Sequence, residues 1–74
     1  MGEAILTGHA LQRLEQRGIT EEDVRQALRR RSGDPRATHT GCTWVFGYAT
    51  GGRILKVLLA HDNETVVTAA WPDE

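Results

Sequence analysis

The feature that most constrains this chain is a change of period near Ser32. Before it, apolar residues recur three and four apart, as helices require; after it, they alternate among β-branched and aromatic residues, as strands require. Such a chain is neither a pure helical bundle nor a sheet sandwich. Its 74 residues leave room for one domain, which at that size buries only roughly 60% of its unfolded surface. The small solution is helices gathered on one face of a sheet. The expectation is a single α+β domain over residues 1–74: two N-terminal helices packed on a curved three- to four-stranded antiparallel sheet.

Local signals place the elements. Thr7 suits the cap of a helix from about Gly8 to Arg17, and Gly18 suits the left-handed residue that ends it. Thr20 then caps a second helix, with Asp23 three residues on in a capping-box position. Glu21, Glu22 and Asp23 crowd its first turn and Arg29, Arg30 and Arg31 its last, so both ends complement the helix dipole. Strands are expected over 42–49, 53–61 and 65–71, joined by turns at Thr50-Gly51-Gly52 and Asp62-Asn63-Glu64. Short extended pieces also fit at 4–6 and 37–40. Leu55, Val57 and Leu59 should meet the helices, leaving Ile54, Lys56 and Leu58 on the other face. The expected core is Leu11, Leu14, Ile19, Val24, Leu28, Leu55, Val57 and Leu59.

Charge and composition exclude several functions. Ten acids against nine bases give a net charge of −1, so bulk charge recruits neither nucleic acid nor an acidic membrane. Cys42 is the only cysteine, which excludes an internal disulfide framework and a four-cysteine zinc site. Small secreted domains usually need such staples, and Met-Gly-Glu-Ala does not open like a signal peptide, so the cytoplasm is the expected location. No apolar run approaches the roughly 20 residues of a membrane span. His39, Cys42 and His61 are too scattered to read as a closed metal site, and no cofactor is expected. Arg17-Gly18-Ile19-Thr20 has the length of a helix-turn-helix hinge, but Glu21, Glu22 and Asp23 would then face the phosphates, which argues against DNA binding by that motif.

The chemistry-bearing residues form a short set. His9, Arg13 and Arg17 stand i, i+4, i+8 along the first helix. That row is either a solvated helix face or a phosphate site combining a proton-exchanging imidazole with bidentate guanidiniums. The positive end of the helix dipole and Arg13 both favour a neutral His9, suited to accepting a proton. Lys56 is the only lysine and sits mid-strand between apolar residues, where it either snorkels or serves a site. Thr68, a good strand former, falls on the adjacent strand. Trp44, Phe46 and Tyr48 share a strand face, as core, interface or base-stacking row.

Taken in order, these segments resemble a known family. Leu6-Thr7-Gly8-His9-Ala10, then Arg13 and the run Arg17-Gly18-Ile19-Thr20-Glu21-Glu22-Asp23, then Gly52-Arg53-Ile54-Leu55-Lys56-Val57 and Val66-Val67-Thr68-Ala69, resemble the small bacterial DUF4258 family from Leu6 to Trp71. That family is similar in layout to the compact RelE-type and colicin-type ribonuclease toxins. The resemblance implies metal-independent RNA cleavage, with His9, Arg13, Lys56 and Thr68 as catalytic residues and Arg17, Arg53 and Trp71 binding RNA. Trp71 stands near where family members often carry Tyr. RNA and a cognate antitoxin or other protein are the implied partners. The competing expectation is a non-catalytic module that binds protein or RNA, or forms a homodimer, through the aromatic strand face.

Overall fold

The structure, a computed structural model, describes residues 4–72, so both extremities of the expected domain lie outside the described residues. It contains strand β1 (Ile5–Leu6), helices α1 (Gly8–Gln16) and α2 (Glu21–Arg29), and strands β2 (Arg36–Ala37), β3 (Thr43–Tyr48), β4 (Ile54–Leu59) and β5 (Thr65–Ala70). Both helices begin where their caps predict. The Thr7 hydroxyl accepts the Ala10 N–H at 3.2 Å. At α2 the Asp23 N–H donates to Thr20 Oγ1 at 3.0 Å while the Thr20 N–H donates to Asp23 Oδ2 at 3.1 Å, a reciprocal capping box. Between the helices Gly18 takes φ 69°, a left-handed conformation that glycine adopts without steric cost.

Strands β3, β4 and β5 form the expected antiparallel meander. Two short strands extend it to five, in the order β1-β5-β4-β3-β2. β2 pairs antiparallel with β3, but β1 pairs parallel with β5, so the sheet is mixed and larger than the purely antiparallel one expected. The parallel pair follows from connectivity. β1 runs directly into α1, and α1 packs on β5, so the entering chain must pass alongside the start of β5.

The helices cover one face of the sheet. Leu14, Ile19, Val24 and Ala27 meet Val45, Leu55, Val57, Leu59, Val66 and Ala69 there. Two expected core positions fall elsewhere. Leu11 is 37% exposed, whereas Ala10 is 1% exposed. Ala10 and Leu14, four apart, define the inward stripe, and Leu11 is rotated about 100° from Ala10. Leu28 lies half-buried at the core's edge.

Two carboxylates tie loops to this frame. Asp23, only 6% exposed, also accepts the Thr50 hydroxyl from the turn between β3 and β4. Burial acts to raise its pKa, but the hydrogen bonds from Thr50 and Thr20 together outweigh it and hold the carboxyl below its ordinary value. Asp62 organises the turn before β5, accepting the Thr65 and Glu64 N–H groups at 2.9 Å each and the Thr65 hydroxyl at 2.7 Å. The Thr65 N–H, then the Glu64 N–H and the Thr65 hydroxyl, lower its pKa to about 2. A carboxylate with a lowered folded-state pKa adds stability that is present above its ordinary value of 3.8 and is lost as pH falls toward about 2. The urea midpoint should therefore fall between those pH values, and Asp62→Asn should flatten that decline. An equally steep decline in Asp62→Asn would show that Asp62 does not carry it.

Candidate nucleic-acid interface

Among the described residues no helix covers the second face of the sheet. Residues directly opposite in an antiparallel ladder share a face, so the register assigns its side chains in rows. Phe46 lies opposite Lys56, and Lys56 opposite Ala70; Trp44 lies opposite Leu58, and Leu58 opposite Thr68; Tyr48 lies opposite Ile54. Tyr48 is 41% and Ile54 42% exposed. Thr68 owes its place to an irregularity. The β4–β5 register shifts between Leu58 and Leu59, pairing Leu59 with Val66 but Leu58 with Thr68. Val67 is thereby an unpaired extra residue. It moves the alternation on by one, so Val66 and Ala69, three apart, are both buried while Thr68 turns to the open face.

Cations are arranged around these rings. The Lys56 ammonium stands over the Trp44 ring, 4.8 Å from its centroid. The Arg53 guanidinium stands over the Trp71 ring at 4.1 Å. Both are within cation–π range. Arg17 arrives from the helix layer. β1 pairs with β5 only as far as Val66, which leaves the edge of β5 without a strand partner beyond that residue. Arg17, the C-terminal cap of α1, reaches over this edge, its Nη1 donating to the Ala69 carbonyl and to Thr68 Oγ1 at 2.9 Å each. The Trp71 indole N–H donates back to the Arg17 carbonyl at 3.2 Å, which fixes the ring against the end of α1. Gln16, Arg17, Lys56, Ala70 and Trp71 line a pocket of about 440 Å³ at this corner.

The residues expected to form the site are thus only partly assembled. Arg17, Lys56 and Trp71 line one pocket, Thr68 is bonded to Arg17, and Arg53 stacks on Trp71. His9 and Arg13 do not line it. They pair with each other on the exposed side of α1, Arg13 Nε donating to His9 Nε2 at 2.9 Å. At 1.5 Å per residue they stand about 12 and 6 Å along the helix axis from Arg17.

One residue emerges from the structure alone. Arg36 of β2 lies opposite Trp44 and so shares the open face. In sequence it stands in a linker after Pro35, and only the register of a two-residue strand gives it a direction. The five strands contain Arg36 and Lys56 but no acid. Both charged residues of the strands, Arg36 and Lys56, are thus cations on the open face. Among the described residues no group of three or more His, Cys, Asp and Glu could hold a metal ion, and no helix is long and apolar enough to cross a membrane.

These features define a small α+β domain with a one-sided helix layer and an aromatic, basic open sheet. The chain belongs to the DUF4258 family, a domain of unknown function whose family model matches residues 6–71. No match is found among curated proteins or among solved structures.

Proposed function

We propose that this protein is a small metal-independent endoribonuclease, acting as the toxin of a toxin–antitoxin pair, and that RNA lies on the open sheet face with a phosphate in the corner pocket. The observation that carries this reading is the meeting of Arg17 and Lys56, from opposite layers of the fold, beside the fixed indole of Trp71. RNA supplies its own nucleophile. The 2′-oxygen attacks the adjacent phosphorus, its proton passes to a base, and the bond to the 5′-oxygen of the next nucleotide breaks as solvent water gives that oxygen a proton, leaving a 2′,3′-cyclic phosphate and a 5′-hydroxyl. The protein must offer proton-transfer groups and positive charge for the phosphate oxygens. Arg17 and Lys56 supply the charge, Thr68 a hydroxyl held by Arg17, and Trp71 a stacking surface with Arg53. His9 is the proton acceptor in this scheme, and because it stands about 12 Å along α1 from Arg17, the scheme requires the RNA strand to run along the α1 row, with the reacting 2′-oxygen between His9 and the pocket. An RNA phosphate that draws Arg13 to itself frees the His9 Nε2 that Arg13 bonds in the free protein. An antitoxin protein would neutralise the enzyme by covering the same face.

A second reading, an RNA- or protein-binding module without catalysis, is favoured by the separation of His9 and Arg13 from the pocket. Incubating RNA with the purified protein in EDTA, with and without ribosomes, and analysing the cut ends separates the two. Cleavage that EDTA abolishes excludes the metal-free mechanism, and intact RNA in every condition favours the binding module. In the catalytic scheme His9→Ala slows cleavage roughly a hundredfold or more. Its melting temperature should stay at the wild-type value, because the bond it removes is exposed. A fully active His9→Gln variant would take histidine out of the mechanism.

A further inference from the structure

We infer that the open face holds a second nucleotide subsite, in which Trp44 stacks an unpaired base and Arg36 binds the neighbouring phosphate. The inference rests on the RNA reading of this face and names its substrate class: single-stranded RNA long enough to cross the sheet from Trp71 to β2.

Three observations carry it. First, the two tryptophans are built alike, each ring bearing a basic side chain: Lys56 on Trp44 and Arg53 on Trp71. A nucleobase offers a flat π face to the same ring surface as the cation. When the base takes that surface, the displaced cation is left beside the phosphate that follows it. Lys56 is shared, since it touches Trp44 and also lines the corner pocket. Lys56 therefore links the Trp44 ring to the pocket that Trp71 lines. Second, Arg36 extends the row Trp44, Leu58, Thr68 by one strand. From β5 to β2 there are three interstrand steps of about 4.8 Å, or about 14 Å of continuous face. Third, the charge on this face selects the occupant. Arg17, Arg36 and Lys56 serve it, and the strands contain no acid. A symmetric dimer through this face would bring these like charges together. A polyanion with exposed bases complements both the charge and the rings. Duplex RNA complements only the charge, because its bases are already stacked on one another.

The test uses the full chain and a fluorescent single-stranded octanucleotide of 2′-O-methyl RNA, which cannot be cleaved by its own 2′-oxygen. Binding is read by anisotropy across a salt series, beside a duplex of the same sequence. Trp44→Ala should weaken octanucleotide binding at least about fivefold, and Trp44→Phe should restore most of it. Arg36→Ala, an exposed change that spares the fold, should also weaken binding and reduce the slope of log K against log salt by about 0.7. The duplex should bind less tightly than the single strand. If the wild type binds the octanucleotide and these variants bind it equally well, the subsite is wrong while the RNA reading stands. If the wild type binds no RNA, both fall. Variants that change the sedimentation coefficient but not RNA affinity would make the face a protein interface and overturn the subsite.

Discussion

Gly47→Ala should unfold this protein, or nearly so, in mild urea. A Cβ added at Gly47 would stand 1.9 Å from the Ala27 carbonyl oxygen, 2.6 Å from its carbon and 2.9 Å from its Cα. All three are backbone atoms of α2, so no side chain can swing aside. Nor can the helix retreat easily. Its exit is stitched to β3, with the Tyr48 N–H donating to the Arg30 carbonyl at 3.0 Å and the Ser32 N–H to the Phe46 carbonyl at 2.7 Å. Lifting α2 would also draw Val24 and Ala27, 0% and 1% exposed, from the core. Overpacking against rigid backbone in this setting should cost about 3 kcal/mol or more. A chain of this length has roughly 4–11 kcal/mol in total. Urea unfolding followed by circular dichroism measures the loss. Gly8→Ala is the control, because its added Cβ meets nothing within 4 Å, and it should leave the midpoint unchanged or slightly raised. A wild-type midpoint for Gly47→Ala would show that α2 does not sit on β3 at this distance.

That close contact illustrates what the sequence conceals. The helix caps were legible because Thr7, Thr20 and Asp23 act on residues within one turn, and the meander was legible because its turns are short and its middle strand alternates. Gly47 is silent in sequence, since a glycine inside a strand gains its meaning from the helix that crosses it. Leu11 misled for a related reason. Ala10, Leu11 and Leu14 all fit a helical stripe within nine residues, and only the sheet beneath α1 chooses the pair that faces inward. The parallel pairing of β1 with β5 joins residues sixty positions apart through two rungs, beyond any local pattern.

The candidate site divides in the same way. The spacing of His9, Arg13 and Arg17 places them on one helix row, but which of them reaches the sheet depends on where β1 stops. Because β1 ends its pairing at Val66, only the edge near Ala69 is open to a guanidinium, and Arg17 stands beside it. Lys56 could be assigned to the open face from alternation alone. Thr68 reaches that face only through the bulge at Val67, which a regular strand pattern does not foresee. Arg36 required the register of β2. The elements were thus readable from short-range chemistry, and the side-chain meeting points were fixed by strand lengths and register.

The sharpest functional expectation concerns Lys56. Lys56→Met keeps the unbranched stem on the open face and removes the charge, so its melting temperature should remain close to that of the wild type. In a ribonuclease that ammonium stabilises charge developing on the phosphate oxygens, and one such group is typically worth about 10²–10³-fold in rate. The measurement is single-turnover cleavage at saturating protein, where weaker binding no longer affects the observed rate. There Lys56→Met should be slower by about that factor, and the salt dependence of binding should lose about 0.7 from its slope. Arg17→Lys gives a different signature. It retains the charge, but its ammonium sits on a shorter stem than the Nη1 that donates to both Thr68 Oγ1 and the Ala69 carbonyl, so both the edge of β5 and the pocket should loosen. Lower stability and slower cleavage should then appear together. An unchanged saturated rate in Lys56→Met would make the ammonium a binding group only, and the catalytic centre would have to lie along α1 toward His9.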